Sequence, residues 1–491
     1  MTEKMVLFTV VFMGGPLFAI LINNLLPRAK AKKFCLGLDM AVTLLQITAA
    51  LICLWLISAG GRATIDFSVF WDMKMQPGAA RFSVDAFALL TLFCIGLVTF
   101  VSLLAARQTM EGEEFNFANL LMTLLMGLNG LVMANDLFTV YIFLEVTSVS
   151  SFVLIALFKD KHSLEGAFKY LVLSTIASTL LLASLAFIFM ETGSLRYGDV
   201  ALMLQDWKNY AHPNLLILSF AFFIAAFGIK AGLAPFHGWL PDAHQSAPSA
   251  VSVLLSGIVT KVAGAYVVAR TFYQVFSGLE NIRIIIAVLG LFSILYGSLA
   301  ALRQNDFKRV IAYSSIGHIG YIFLGISAGN ALGFLGVAMH FISHAALKST
   351  LFINAAAIKK QVGTTDMEAM GGGLQDRMPL TGVSFILAFL SSIGMPPLAG
   401  FWSKLIIVAA VWQSGHAGIA STALLAGIIT ASYSLRMHGK MFFGRPGASS
   451  SGVTEVKGSL ALAELLLSVV TVGFGLLFPA LLLLLQAQGL F

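Results

Sequence analysis

Fourteen apolar stretches, most of them near the roughly 20 residues that cross a bilayer as a helix, follow one another along this chain with short polar connections between them. No water-surrounded core absorbs so many segments that ask for burial on every side. In hydrocarbon the backbone N–H and C=O groups must find partners within the chain, and a helix satisfies them segment by segment. Of the 491 residues 58% are hydrophobic and 11% charged, where soluble domains carry about a quarter charged. Mean hydropathy is +0.90. The chain therefore reads as an all-α integral membrane protein of about 14 transmembrane helices, with the lipid bilayer as its first partner. The expected spans lie near 5–26, 36–59, 84–106, 115–134, 137–158, 165–190, 214–234, 248–273, 282–302, 309–327, 331–358, 380–412, 418–442 and 458–486. The run 380–412 is too long and too broken for a plain span. The first stretch is followed by Pro27 and Arg28 in place of a small-residue cleavage site, so it is read as helix 1.

The formal net charge of +7 does not point to nucleic acid, because the 30 Lys and Arg residues are scattered among helix ends without a basic stripe or a stacking platform. They follow topology instead. Seventeen lie in odd-numbered connections and eight in even-numbered connections and termini. The positive-inside rule then predicts odd loops in the cytoplasm of a bacterial or archaeal cell and both termini on the outer side of the inner (plasma) membrane. Cys35, Cys53 and Cys94 are far apart and mostly within apolar runs, so neither an iron–sulfur cluster nor a zinc site is expected. The chain shows no metal set, no cofactor motif, no nucleophile elbow and no nucleotide loop, and redox chemistry is expected to happen outside it.

Seventeen and eight account for all but five of the basic residues, and those five are lysines inside expected spans: Lys169, Lys230, Lys261, Lys348 and Lys404. Glu145 joins them, as do His318, His340 and His344. A charge at mid-helix costs about 2.5 to 3.5 kcal/mol on insertion scales, so the lysines and Glu145 together cost on the order of 15 to 20 kcal/mol. Folding alone does not require them. Bland roles exist for some. Lys169, near a helix start, can snorkel to the interface, and Glu145 can serve as a mere counter-ion for a lysine. His340, His344 and Lys348 recur at i, i+4, i+8 and share a helix face, yet no third acidic or thiolate ligand accompanies them, so a proton relay fits better than a metal or a haem.

Prolines mark two breaks. The segment GIKAGLAPFHGWLPDAHQSAPSA, residues 228–250, contains Pro235, Pro241 and Pro248 just after Lys230, and SSIGMPPLAGFWSK places Pro396 and Pro397 before Lys404. Proline removes a donor and frees a carbonyl, which a membrane tolerates only where protein or water answers it. The helices at spans 7 and 12 are thus expected to be discontinuous and to line polar cavities. Lys230 to Lys404 is an offset of 174, Glu145 to His318 of 173 and Lys169 to His344 of 175. Such spacing suggests two five-helix repeats, spans 4–8 and 9–13, inverted because five is odd. The expected division is 1–110 for the first three helices, 111–275 and 276–445 for the repeats, and 446–491 for the last helix.

The stretch KAGLAPFHGWLPDAHQSAPSAVSVLLSGIVTKVAGAY resembles the signature of the proton-conducting antiporter-like subunits shared by respiratory complex I (subunits M and N), the Mrp cation/proton antiporters and the membrane-bound energy-converting hydrogenases. NDLFTVYIFLEVTSVSSF, VIAYSSIGHIGYI, HFISHAALKSTLFINAAAI and GMPPLAGFWSKL extend the likeness over about 115–440. Lys404 stands where complex I subunit M carries a glutamate, and with HAALKST the chain looks most like the D-type Mrp subunit and its hydrogenase counterpart. The resemblance implies that Glu145 pairs with Lys230, that Lys261 sits at a central axis continued by His318, His344 and Lys348, and that Lys404 forms an exit-side site. It also implies other membrane subunits of a hetero-oligomeric complex as partners, with a peripheral redox arm carrying iron–sulfur clusters in the NADH:quinone, formate-linked and hydrogenase types.

Physical magnitudes suit that role. A proton crossing about 150 to 200 mV exchanges roughly 3.5 to 4.6 kcal/mol, and a Glu145–Lys230 pair made or broken at 4 Å is worth up to about 4 kcal/mol at an effective dielectric near 20. The expected path runs from Lys230 through Lys261, then His344 and Lys348, to Lys404, with His318 as a relay and waters between. His237, Asp242, His244, His340 and Lys169 are accessory candidates, Asp242 and His244 being read as structural or gating groups. Na⁺ is the less favoured ion, since lysines repel cations and no carboxylate cluster beyond Glu145 supplies oxygen ligands. The alternative is a stand-alone secondary transporter of a cation or small solute, which would need polar groups shaped to one substrate.

Overall fold

The computed structural model describes residues 10–60, 64–68, 81–205, 212–276, 280–444 and 452–487. The first residues of helix 1 and the cations Lys4, Arg62, Lys74, Lys208 and Arg445 lie outside the described residues. The helices are α1 (Val10–Leu25), α2 (Arg28–Gly60), α3 (Ala86–Thr109), α4 (Glu114–Met133), α5 (Leu137–Ile155), α6 (Lys161–Thr192), α7 (Tyr197–Met203), α8 (Pro213–Ala231), α9 (Leu240–Ser246) and α10 (Ser249–Gln274). They continue with α11 (Glu280–Leu302), α12 (Phe307–Ala328), α13 (Ala331–Val362), α14 (Met367–Met370), α15 (Pro379–Ile393), α16 (Ala399–Gln413), α17 (Ala417–Met441) and α18 (Ser459–Ala487). Twelve described helices are long and apolar enough to span, and α1 and the pair α15–α16 are shorter apolar helices that complete the expected series. The chain is a multi-pass membrane protein. An antiparallel pair, β1 (Thr64–Ser68) and β2 (Arg81–Asp85), lies in the connection before α3, where the sequence predicts no regular element.

Local chemistry sets the helix ends. Asp85, Asp136, Asp306 and Asn330 each accept a backbone N–H three residues on, at 2.7 to 3.0 Å, and Asp160 accepts from both His162 and Ser163. The Ser163 and His162 N–H groups hold the Asp160 carboxyl below the usual carboxylate range. At the other ends Gly193, Gly232, Gly363 and Gly394 take positive φ, where a side chain would be strained. Both breaks appear where expected. α8 stops at Ala231 and α9 starts at Leu240; α15 stops at Ile393 and α16 starts at Ala399. Pro235, Pro396 and Pro397 lie in the intervening turns, whereas Pro241 sits in the first turn of α9, where its missing N–H costs no hydrogen bond, and so opens a helix instead of breaking one.

Burial divides the helices into two shells. α10 is wholly buried, α12 is 94% buried and α3 and α13 are 83% buried over their apolar windows, while α17 and α18 reach 33%. Among the inner helices α10, α12 and α13 carry Lys261, His318, His340, His344 and Lys348, and the outer ones present leucine, isoleucine and phenylalanine outward. Within α10 the backbone widens into π-type turns over Leu255–Val259 and Lys261–Tyr266, which sequence periodicity did not signal.

The repeat is visible, with a register that differs from the one expected. Asp136 bridges Arg196, and Asp306 bridges Asp366. Leu137 N–H donates to Leu195 and Tyr197 N–H to Asn135, as Phe307 N–H does to Thr365 and Met367 N–H to Asn305. Every one of these pairs is offset by 170 residues, as are α6 and α13, each 32 residues long. Glu145 therefore corresponds to Ser315 and not to His318, and Lys169 to Met339 and not to His344. Two of the expected offsets matched ionisable residues three and five positions past the true equivalents, and at the breaks, where Gly232 corresponds to Gly394 and Pro235 to Pro397, Lys230 corresponds to Ser392 and not to Lys404.

Two counted loop cations are also corrected. Lys308 is 1% exposed and donates to the carbonyls of Ala247 (2.6 Å) and Gln245 (3.3 Å), and Arg270, 5% exposed, pairs with Asp85. Removing both leaves the asymmetry of the loops intact. Odd-numbered connections touch each other, as in Arg436 with Asn305 and Lys440 with Glu368, and even ones do likewise, as in Asp136 with Arg196.

α8 and α10 meet at Gly264, where a Cβ would lie 2.4 Å from the Ala231 Cβ and 2.5 Å from its Cα. Gly264→Ala is expected to force the two helices apart at a cost of about 1 to 3 kcal/mol. A thermal melt of the purified protein checks this against Gly427→Ala, at a glycine with no atom within 4 Å of an added Cβ.

Candidate functional site

Hydroxyl groups on two helices, α5 and α6, build the first half of the site. Lys230, the penultimate residue of α8, is 2% exposed, and its Nζ donates to Ser174 Oγ (2.6 Å), Ser148 Oγ (2.7 Å) and Ser178 Oγ (3.3 Å). Glu145 Oε1 stands 3.8 Å from the same nitrogen and accepts a short hydrogen bond from Ser178. Three neutral acceptors take the three ammonium hydrogens, so the lysine is held without a direct carboxylate contact and Glu145 acts at one remove, through Ser178. The Glu145 side chain is 35% exposed on the outer face of α5.

The second half is a histidine and serine chain among α12, α13, α15 and α16. His318 Nδ1 lies 3.2 Å from His340 Nε2, and the other nitrogens reach Ser392 Oγ and Ser403 Oγ at 2.9 Å each. One hydrogen serves the His318–His340 contact, so the tautomer of one ring fixes that of the other. Lys404 Nζ donates to the Ser392 carbonyl (2.6 Å), a group released by the break after α15, and lies 4.8 Å from the ring centre of Tyr321. Lys348 donates to Ser314 Oγ and to the Ile311 carbonyl.

Between the halves sit Lys261, His244 and His344, all 0% exposed, whose side-chain nitrogens have no hydrogen-bond partner among the described residues. Lys261 opens the second π-type turn of α10, His244 stacks on Phe352 at 5.0 Å, and His344 meets the His318 ring edge-on at 4.7 Å.

Of the expected residues, Glu145 and Lys230 come together, and His318, His344, Lys348 and Lys404 cluster with His340, which bonds directly into the chain. Lys169 does not join. It is 42% exposed and pairs with Glu165 and Asp242, each at 2.8 Å, while Arg309 holds the other Asp242 oxygen at 2.7 Å. His237 packs on Tyr296 and Tyr313. Sequence reasoning missed the serines. Ser174 and Ser178 share one face of α6, and that four-residue spacing within an apolar run was the available signal. It also missed Lys308, Asp39 and Glu464, all buried. Among the described residues no three His, Cys, Asp or Glu side chains converge to hold a metal ion.

Comparison with known proteins places this geometry. Residues 134–430 match the family described as NADH:quinone oxidoreductase/Mrp antiporter, TM. NADH-quinone oxidoreductase subunit N of Desulforudis audaxviator is 31% identical over 429 residues, covering 86% of this chain and 84% of that protein. The D-type Na(+)/H(+) antiporter subunit of Alkalihalophilus pseudofirmus is 32% identical over 389 residues, covering 79% and 77%. In the solved structure of the membrane-bound sulfane sulfur reductase, an archaeal respiratory membrane complex, one chain superposes with a TM-score of 0.87 at 27% identity, over 99% of this chain and 97% of that one. With a matched segment that spans more than half its length and holds Glu145, Lys230, Lys261, His318, His340, His344, Lys348 and Lys404, the chain belongs to the NADH:quinone oxidoreductase/Mrp antiporter family of transmembrane subunits.

Proposed function

We propose that this chain carries protons through the membrane as the ion-translocating subunit of a hetero-oligomeric complex, along a path from Lys230 past Lys261 and His244 to His344 and Lys348, then through His318 and His340 to Lys404. One observation carries the reading: buried lysines and histidines follow one another through the interior, and the first lysine is seated on hydroxyls within 4 Å of a carboxylate whose side chain is 35% exposed. A proton loads onto Lys230 while Glu145 is near and moves inward when the carboxylate withdraws, since up to about 4 kcal/mol of attraction is lost at an effective dielectric near 20. The energy is of the size a membrane potential supplies, roughly 3.5 to 4.6 kcal/mol per proton. Water bridges the central groups, and Na⁺, if exported by the whole complex, leaves by another subunit.

The partners are small hydrophobic subunits in an Mrp-type assembly or a redox arm with iron–sulfur clusters in an oxidoreductase. The similarities to the N-type oxidoreductase subunit and to the D-type antiporter subunit are nearly equal, 31% and 32%, and the D-type reading rests on Lys404 and the HAALKST segment of α13. Purifying the complex from its native membrane and identifying what accompanies the chain decides between them.

Lys230→Ala and Glu145→Ala are each expected to abolish proton translocation by the complex in reconstituted vesicles while leaving the complex assembled. Retained pumping removes the pair from the path. We further propose that the chain lies in the plasma membrane of a bacterial or archaeal cell, with both termini outside. Gln304→Cys, in an odd loop, is then labelled by an impermeant thiol reagent only from the cytoplasmic face, and a C-terminal tag is digested only from the external face.

A further inference from the structure

Besides Asp136, Arg270 and Lys308, buried ionisable side chains outside the path include Asp39 beside Asn23, His438 among phenylalanine rings, and Glu464 near the start of α18. At Glu464 the hydrogens can be counted. Glu455, in the connection before α18, accepts from the N–H groups of Leu380 (2.6 Å), Thr381 (3.3 Å) and Val456 (3.0 Å) and from Thr381 Oγ1 (2.8 Å). Four donors mark it as the ionised carboxylate. Glu464, 0% exposed, has its Oε1 2.9 Å from the amide nitrogen of Asn354, in the amide orientation that also lets Asn354 accept from Phe385 N–H and donate to Ser384 Oγ. Its Oε2 lies 3.2 Å from Thr381 Oγ1. The threonine hydroxyl has one hydrogen, already directed at Glu455, so the contact with Glu464 needs a hydrogen on Glu464 itself. Glu464–OH, Thr381–OH and Glu455 carboxylate thus form a donor-to-acceptor series that leads from the interior to a partly exposed group.

We propose that Glu464 is a proton-carrying residue that, with Thr381 and Glu455, gives the second half of the path its own access to water at the loop end of α18. The inner end of the series is Asn354, on the same helix as His340, His344 and Lys348 and six residues past Lys348, about 9 Å along the axis. In one passage the Glu464 carboxyl turns its hydrogen from Thr381 to a water on the α13 side, the Asn354 amide there being itself a donor, and Glu455 takes a proton from water outside. Thr381 then hands its hydroxyl hydrogen to Glu464 and receives the one from Glu455. The count of bonds and charges is restored, with no redox step. Glu464 lies in the last helix, beyond the matched family segment and beyond both repeats, so this access point has no counterpart in the first half.

The inference rests on the proton-translocating reading, and the test separates the two. In the complex purified from its native membrane, the infrared carbonyl band of a protonated carboxylic acid is expected to be lost in Glu464→Gln and kept in Glu455→Gln. Glu464→Gln and Thr381→Val, which leaves both carboxyls in place, are each expected to slow proton translocation in vesicles about tenfold, the scale on which a positioned proton donor acts being tenfold or more. Normal translocation in both variants beside a dead Lys348→Ala overturns the relay and leaves the main path standing. Normal translocation in Lys348→Ala as well overturns both. A Glu464→Gln spectrum that keeps the band overturns the proton assignment, and with it the relay, whatever the rates.

Discussion

A charge in hydrocarbon without a hydrogen-bonding partner is the costliest arrangement this chain faces, and the architecture follows from avoiding it. Of the ionisable residues along the candidate path, Glu145 alone is open to the surroundings of the chain, over about a third of its side chain, and an outer ring of helices keeps the others from lipid. α10, α12 and α13 are the most enclosed of the spans that carry them and hold Lys261, His318, His340, His344 and Lys348. Lys230 and Lys404 sit where helices stop or start, and Lys404 takes up a carbonyl that the break after α15 frees.

The two repeats answer the constraint with different chemistry. In the first, serine hydroxyls surround the lysine and a carboxylate stands behind one of them. In the second, paired imidazoles and serines link the α12–α13 contact to the break. Offset by 170 residues, as the matching backbone bridges are, Glu145 maps onto Ser315, so the second half has no carboxylate at the equivalent place. Histidine occurs there instead, one turn on.

Helix order, the two breaks and the buried cations were legible because each leaves a local mark: apolar length, proline, or a charge in an apolar run. The partners of the cations were not legible. Ser148, Ser174 and Ser392 are ordinary in helices, and only the approach of α5, α6 and α15 to α8, α12 and α16 makes them acceptors. Lys308 and Arg270 looked like loop cations because nothing in sequence says that a helix terminus or Asp85 lies within reach. The repeat register failed for a related reason. Ionisable identity was used to align the halves, and the ionisable residues are what the halves do not share, whereas the asparagine–aspartate pairs at 135–136 and 305–306 mark the true register.

α9 is seven residues long and is gripped from both halves. Asp242 is held by Lys169 of the first repeat and Arg309 of the second, and Lys308 of the second seals the carbonyls of Gln245 and Ala247 at its end. Since α9 follows the turn that begins where Lys230's helix ends, a shift of α6 or of α12 pulls on the same short peg. The segment works as a yoke: neither half of the molecule can change its posture at the first break without the other feeling the load.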